Sequence, residues 1–222
     1  YRHSDAAYLD QVVFRFIPES ATRTGALQSG EVDVIESVFP VDVEKLRGGN
    51  TFVASALSPG SPFVLQMNQS KPPFNDPAVR RAFLHGVDRK GLIKALYNDV
   101  YELAEGPLAP TTFAYDKTIE GMYPYDPAKA KQLLEGAGWV PGGGGVRAKG
   151  SDKLEAVYLE GDIDREQRHA IAESIQAQLK EIGFDIKIQY LASGPFVEAR
   201  SQNAYSILGT SFVSSDPDIM TN

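Results

Sequence analysis

The 222-residue chain contains no cysteine. Disulfides, thiolate metal sites and thiol catalysis are therefore excluded; the absence is compatible with export from a bacterial cell but does not require it. Histidine is scarce as well. His3, His85 and His169 are the three present, and none stands at the spacing of an HExxH ligand pair. They read as ordinary surface or packed histidines. No apolar run approaches the roughly 18 residues needed to cross a bilayer, and no signal-peptide pattern is visible. Basic residues number 22 against 29 acidic ones, a net charge of −7. Without clustered Lys and Arg no nucleic-acid surface is expected, and the acidic balance reads as solubility. There is no Gly-x-Ser-x-Gly elbow. The run of four glycines at 142–145 is not followed by Lys-Ser/Thr, so it reads as a flexible turn and not a phosphate loop. Asp162, Asp164 and Glu166 lie just before a predicted helix, where acidic groups complement the helix dipole.

What is present is an ordinary globular composition, 42% hydrophobic and 23% charged. A chain this long can bury roughly 70% of its unfolded surface. Residues 12–17 are β-branched and aromatic and predict a strand that Pro18 ends. Ser20 is placed to cap a short helix through Leu27, with Gly30 to terminate it. Residues 32–35 predict a second strand, and the three together a compact βαβ unit. Pro40 and Asp42 introduce a short helix at 43–46. Residues 51–57 and 63–67 are further strand candidates.

Asp76-Pro77 is a strong helix start, since Asp caps and Pro fits the first turn. Val79, Ala82, Phe83, Gly86 and Val87 then trace one apolar face. Asp88 begins a helix carrying Leu92, Ile93 and Leu96. Residues 105–124 predict an extended loop. Asp126-Pro127 repeats the helix start, with Ala130, Leu133, Leu134 and Ala137 on one face and Gly138 ending it. Residues 154–159 predict a strand. A long helix at 164–182 follows, striped by Ile171, Ile175, Leu179 and Ile182 and capped by Gly183. Phe184, Ile186, Ile188 and Tyr190 then alternate with polar residues as a half-buried strand does. This second βαβ unit predicts a right-handed crossover. Residues 205–212 predict the last strand.

Five separated segments resemble the peptide/nickel/opine family of ABC-transporter solute-binding proteins, family 5, which includes the oligopeptide- and dipeptide-binding proteins. Tyr8-Leu9-Asp10 with residues 13–18 is similar to the entry into that family's second lobe. Ala26-Leu27-Gln28-Ser29-Gly30-Glu31-Val32-Asp33 resembles its "aL-sGevD" stretch. The most specific segment runs from Asn68 through Lys71-Pro72-Pro73-Phe74-Asn75-Asp76-Pro77 to Val79-Arg80-Arg81-Ala82 and Val87-Asp88-Arg89, similar to "N-pPf-D-rVR-A---aiDR". Tyr125-Asp126-Pro127-Ala128-Lys129-Ala130-Lys131-Gln132-Leu133-Leu134 resembles "yDp-kAk-LL". Residues 179–188 resemble "L--iGi-v-i".

The resemblance implies an α/β fold: one lobe of a periplasmic binding protein, type II-like, with a mixed sheet flanked by helices. Residues 1–222 would be a single inserted lobe of a larger two-lobe protein, with the other lobe outside this chain and both ends cut from a longer polypeptide. The implied function is the substrate-binding component of an ABC importer, which captures a peptide or related small solute between two lobes by a hinge motion and delivers it to a membrane permease. A sensor domain on the same fold is the alternative, and an enzyme on an α/β frame a remoter one, for want of a clustered acid–base or metal constellation. No cofactor, metal or catalytic residue is expected. The protein is expected to be monomeric and periplasmic, or an extracellular lipoprotein anchored to the cytoplasmic membrane.

Ligands in open α/β sheets sit beyond strand C-termini. The family's substrate contacts follow the strand equivalent to residues 205–212, so the expected ligand-binding residues are Phe212, Ser214, Ser215 and Asp216. Phe212 stands where the family commonly has Trp. The Asp that pairs with a peptide's α-ammonium falls on Ser215, or on Asp216 with a gap. Where some peptide binders carry a carboxylate-gripping Arg, this chain has Gly209, which cannot supply a bidentate guanidinium contact.

Overall fold

Three aspartates act as expected of helix caps. In the computed structural model, which describes residues 8–48, 62–98 and 100–211, the Asp76 carboxylate accepts the Ala78 N–H, that of Asp88 accepts the Gly91 N–H, and that of Asp126 accepts the Lys129 N–H. They open α3 (Pro77–Gly86), α4 (Arg89–Tyr97) and α5 (Pro127–Gly136). Before them come α1 (Ser20–Gln28) and α2 (Pro40–Gly48). After them come α6 (Arg168–Lys180) and α7 (Ser193–Ser201).

The strands are β1 (Phe63–Met67), β2 (Val140–Pro141), β3 (Arg147–Lys149), β4 (Asp152–Lys153), β5 (Glu155–Gly161), β6 (Asp185–Leu191) and β7 (Ile207–Ser211). Four form a mixed sheet in the order β1-β7-β5-β6. β5 is parallel to β6 and to β7, whereas β1 runs antiparallel to β7 with Phe63 opposite Ser211 and Leu65 opposite Gly209. The short strands β2, β3 and β4 make a separate small sheet around the glycine turn.

Period-2 alternation along β5 divides the core. Ala156 and Tyr158 belong to the larger cluster, with Val79, Phe83, Leu134, Ile175, Leu179 and Phe184. Leu159 faces the other way, onto Tyr205 and Leu208 and the α7 residues Phe196 and Ala199. The sheet is therefore covered on both faces, the arrangement parallel strands require. Phe74, Phe83 and Phe184 meet edge-to-face and stacked at centroid distances of 5.8–6.3 Å. The Asn68 side chain donates to Tyr205 O while its backbone N–H donates to Ser206 O, fixing the end of β1 to the start of β7.

Several expectations are corrected. Residues 12–17 and 32–35 form no strand, so there is no N-terminal βαβ unit. Strand propensity becomes a strand only beside a partner, and no described segment runs alongside. Phe14 and Phe16 are 94% and 78% exposed. Ser20 is not the cap of α1. Glu19 holds that position without a side-chain bond, and the Ser20 hydroxyl accepts the Phe39 N–H instead. The long helix begins at Arg168 and not at 164, because Glu166 and Gln167 are left-handed, φ 54° and 60°; the Asp164 carboxylate reaches over that turn to the His169 N–H. α7 and the small sheet are additions to the expected elements. The predicted strand at 51–57 lies outside the described residues. The predicted loop at 105–124 holds one short 3-10 turn, Lys117–Ile119. Arg89 pins the loop by donating to Ala104 O, Glu105 Oε2 and Tyr123 O.

Candidate functional site

The parallel pairs bring the C-terminal ends of β5, β6 and β7, at Gly161, Leu191 and Ser211, to one edge of the sheet, and antiparallel β1 adds its first residue, Phe63. All four expected ligand residues, Phe212, Ser214, Ser215 and Asp216, lie outside the described residues. They follow directly in sequence on Ser211, the last residue of β7.

The described side chains at this edge form a polar group around the start of α6. Glu160, next to last in β5, is 5% exposed. Its Oε1 accepts the N–H of Gly161 at 3.1 Å, and its Oε2 has no partner among the described residues. Burial pushes its carboxyl above the ordinary range, opposed by the Gly161 N–H and by the nearby charges of Arg168 and His169. The guanidinium of Arg168 lies 4.6 Å from the centre of the Phe63 ring, a cation–π distance. Its Nη2 donates to Glu166 Oε2 at 3.0 Å and reaches Ser211 Oγ at 3.5 Å, while its Nε is buried without a partner among the described residues.

Tyr158, on the same face of β5, is fully buried, and its hydroxyl too has no partner among the described residues. Burial raises its pKa, and the neighbouring Glu160 carboxylate adds to the effect. Tyr97 at the end of α4 donates to the backbone oxygen of Glu166 and packs edge-on against Tyr101. On the outer side, a His169 ring nitrogen meets Gly161 O at 2.7 Å, and the ring lies 4.0 Å from that of Tyr190. The Tyr190 hydroxyl, beside Glu173, is pushed up to about 12 by burial and by that carboxylate.

Buried polar atoms are almost always paired. Here three unpaired ones, on Tyr158, Glu160 and Arg168, belong to one electrostatically coupled neighbourhood at the strand ends. Among the described residues no group of three or more His, Asp or Glu is placed to hold a metal ion, and no helix is long and apolar enough to cross a membrane.

Of the acidic residues noted before the helix, Asp164 bonds the first turn of α6, as dipole complementarity suggests, and Glu166 pairs with Arg168. Gly209 has a definite role. A methyl group built there would overlap Glu160 Oε2, so the bare backbone of β7 is what lets the carboxylate lie across it. Sequence reasoning passed over Glu160, although strand parity signals it. It shares a face with Ala156 and Tyr158, and a carboxylate at an inward position of a buried strand calls for a partner.

Comparison with known proteins adds the family. A heme-binding protein A of Haemophilus influenzae is 36% identical over 136 residues, 60% of this chain and 24% of its own length. A nickel-binding periplasmic protein of Escherichia coli is 32% identical over 187 residues, 81% of this chain and 35% of its own. NikA from Brucella suis, solved with Fe(III)-EDTA, shares the fold at a TM-score of 0.80 and 23% identity, over 92% of this chain and 42% of its own. DppA from Helicobacter pylori, solved with the peptide STSA, aligns at a TM-score of 0.73 and 27% identity, over 92% of this chain and 38% of its own. The chain thus spans well under half the length of these relatives. The profile described as "Bacterial extracellular solute-binding proteins, family 5 Middle" matches residues 1–222, and the chain belongs to that family.

Proposed function

We propose that residues 1–222 are the single inserted lobe of a longer two-lobe protein, the substrate-binding component of an ABC importer. It captures a peptide or related small solute between its lobes and delivers it to a membrane permease. The protein is a binder and not an enzyme, works as a monomer, and acts in the periplasm or as an extracellular lipoprotein anchored to the cytoplasmic membrane. The observation that carries this reading is the family match over the whole chain, joined to relatives named for dipeptide, nickel and heme binding.

The half-site on this lobe is Phe212, Ser214, Ser215 and Asp216. What supports it is the topology. β7 is parallel to β5, so the chain leaves the sheet at the edge where ligands of open α/β sheets sit. Phe212 would supply an aromatic wall, Ser214 and Ser215 hydroxyls, and Asp216 a carboxylate. The test is isothermal titration of the full-length chain with a panel of di- and tripeptides, comparing Phe212→Ala and Asp216→Asn with the parent. The reading expects tenfold or weaker binding in each variant, the scale of a truncated hot spot. Unchanged affinity in both would remove these residues from the site.

A further inference from the structure

Helices α3, α4 and α5 pack on the larger core and carry almost no acid. Across all three the one carboxylate is Glu135, and Arg147 holds it. The capping groups Asp76, Asp88 and Asp126 stand just outside the helices and accept helix N–H groups. Of the cations, Arg80 donates to Phe74 O, and Arg89 to Glu105 and two loop carbonyls. Arg81, Lys90, Lys94, Lys129 and Lys131 are left. All five are exposed, and among the described residues none has a hydrogen bond or an ion pair. The chain as a whole carries −7, so this layer runs against its overall charge.

The same layer holds a cavity of about 130 Å³ where the loop before α5 passes the start of α4. Its walls include Val87, Leu103, Tyr123 and Pro124, and Lys90 and Tyr125 line it as well. The surroundings are fixed. Arg89 ties the loop to α4 through three acceptors, and the His85 backbone oxygen accepts the Asp126 N–H just before α5. Lys90 and Lys94, four residues apart, share a face of α4. Tyr125 leads through Asp126 into the first turn of α5, which carries Lys129. Met122 and Tyr125 are half exposed. An apolar recess with tyrosine and methionine at its margin and charge at its rim has the layout of a protein interface.

We propose that this layer is a docking surface for an acidic protein segment that places one apolar side chain in the cavity, and that the segment belongs to the outer face of the importer's permease. The inference rests on the importer reading above and deepens it by naming the face and the chemistry of the partner. Charge complementarity selects the partner, because unpaired cations steer an acidic surface in and turn a basic one away. The cavity selects a protein over a lipid surface, since anionic headgroups would meet the cations but leave the recess unfilled. An apolar side chain buried there supplies the anchor around which such interfaces are organised. The layer covers a face of the sheet, whereas the proposed half-site lies at the strand ends, so one lobe can serve solute and partner together.

The test measures binding of the full-length protein to its permease in nanodiscs of anionic lipid, by biolayer interferometry at low and at high salt. Empty nanodiscs of the same lipid are the second arm. The parent is expected to bind the permease discs at least about tenfold more tightly than the empty ones, and more tightly at low salt. The double variant Lys90→Glu, Lys94→Glu is expected to lose at least about tenfold in affinity, mostly through the association rate, with a flatter salt dependence. Its Tm should match the parent's, because both side chains are exposed and unpaired. Leu103→Phe, which fills the cavity, is expected to weaken binding through faster dissociation. Lys149→Glu, an exposed cation on the small sheet, should change affinity by less than about twofold. Equal binding to empty discs would assign the face to lipid and overturn the proposal. Permease affinity that is unchanged in the double variant, or that falls as far in Lys149→Glu, overturns the docking face and leaves the importer reading standing. A parent that binds no permease overturns both.

Discussion

Replacing Arg147 with methionine should loosen the junction on which the sheet is built. Arg147 lies in β3 with its side chain 6% exposed. It donates from Nε to Ile182 O at 3.0 Å, from Nη1 to Trp139 O at 2.8 Å and from Nη2 to Glu135 Oε1 at 3.0 Å. One guanidinium thus ties the end of α5 to the turn between α6 and β6. Its stem also lies against Gly183, where it would overlap a Cβ and where a φ of +96° already favours glycine. The two bonds to buried carbonyls are charge-assisted and contribute about 1.5 kcal/mol each. The Glu135 carboxylate is half exposed, so that ion pair adds well under 1 kcal/mol. Methionine keeps most of the apolar stem contact. The expected loss is therefore about 3 kcal/mol, a fall in Tm of roughly 6–12 °C for a domain of this size. Arg147→Lys should lose about 2 kcal/mol, since a single ammonium cannot reach three acceptors that a planar fork spans. Urea unfolding followed by circular dichroism reads both. A methionine variant within about 0.5 kcal/mol of the parent would refute the reasoning, and would mean that burying the guanidinium costs as much as its bonds return.

Leu179→Ala, at a fully buried site facing both α3 and the sheet, should cost about 3 kcal/mol in urea unfolding, within the range for leucine cavities. Asp76→Ala removes the acceptor of the Ala78 N–H and should cost about 1 kcal/mol; Asp76→Ser should restore most of it. Stability should also fall as pH rises above the ordinary glutamate value of 4.5, because burial raises Glu160 in the folded state only. A raised folded pKa gives stability that is complete below the unfolded value and is lost as pH climbs through the folded one. Glu160→Gln should flatten that slope; chemical unfolding at pH 4, 5.5 and 7 that leaves the slope unchanged would count against an unpaired carboxylate.

How far the chain could be read in advance depended on whether a segment's partners lay close by in sequence. Asp76, Asp88 and Asp126 cap helices through bonds two or three residues away, and such chemistry is visible in a string of letters. The alternation from Phe184 to Ile188 and the stripe Ile171, Ile175, Leu179 also held, because each pattern is the imprint of one buried face; Tyr190, expected on the same strand face, is exposed. Residues 12–17 have the composition of a strand but no neighbour among the described residues, and pairing is a tertiary event. α7 opens on Ser193-Gly194-Pro195 with little periodicity, and β2 and β4 are two residues each, too short to leave a pattern. At the candidate site, the sequence resemblance pointed to the residues after β7, whereas Glu160 emerged only when its strand face, its free oxygen and the bare backbone at Gly209 were seen together.

The claim that this chain is half of a solute-binding site is tested most directly by native mass spectrometry of the full-length protein purified from its own host. The account predicts a small solute retained at one per monomer and released on mild unfolding, with occupancy falling in Phe212→Ala and Asp216→Asn. A protein whose mass is that of the polypeptide alone, and which takes up no member of a peptide, metal-chelate and small-solute library, would contradict it.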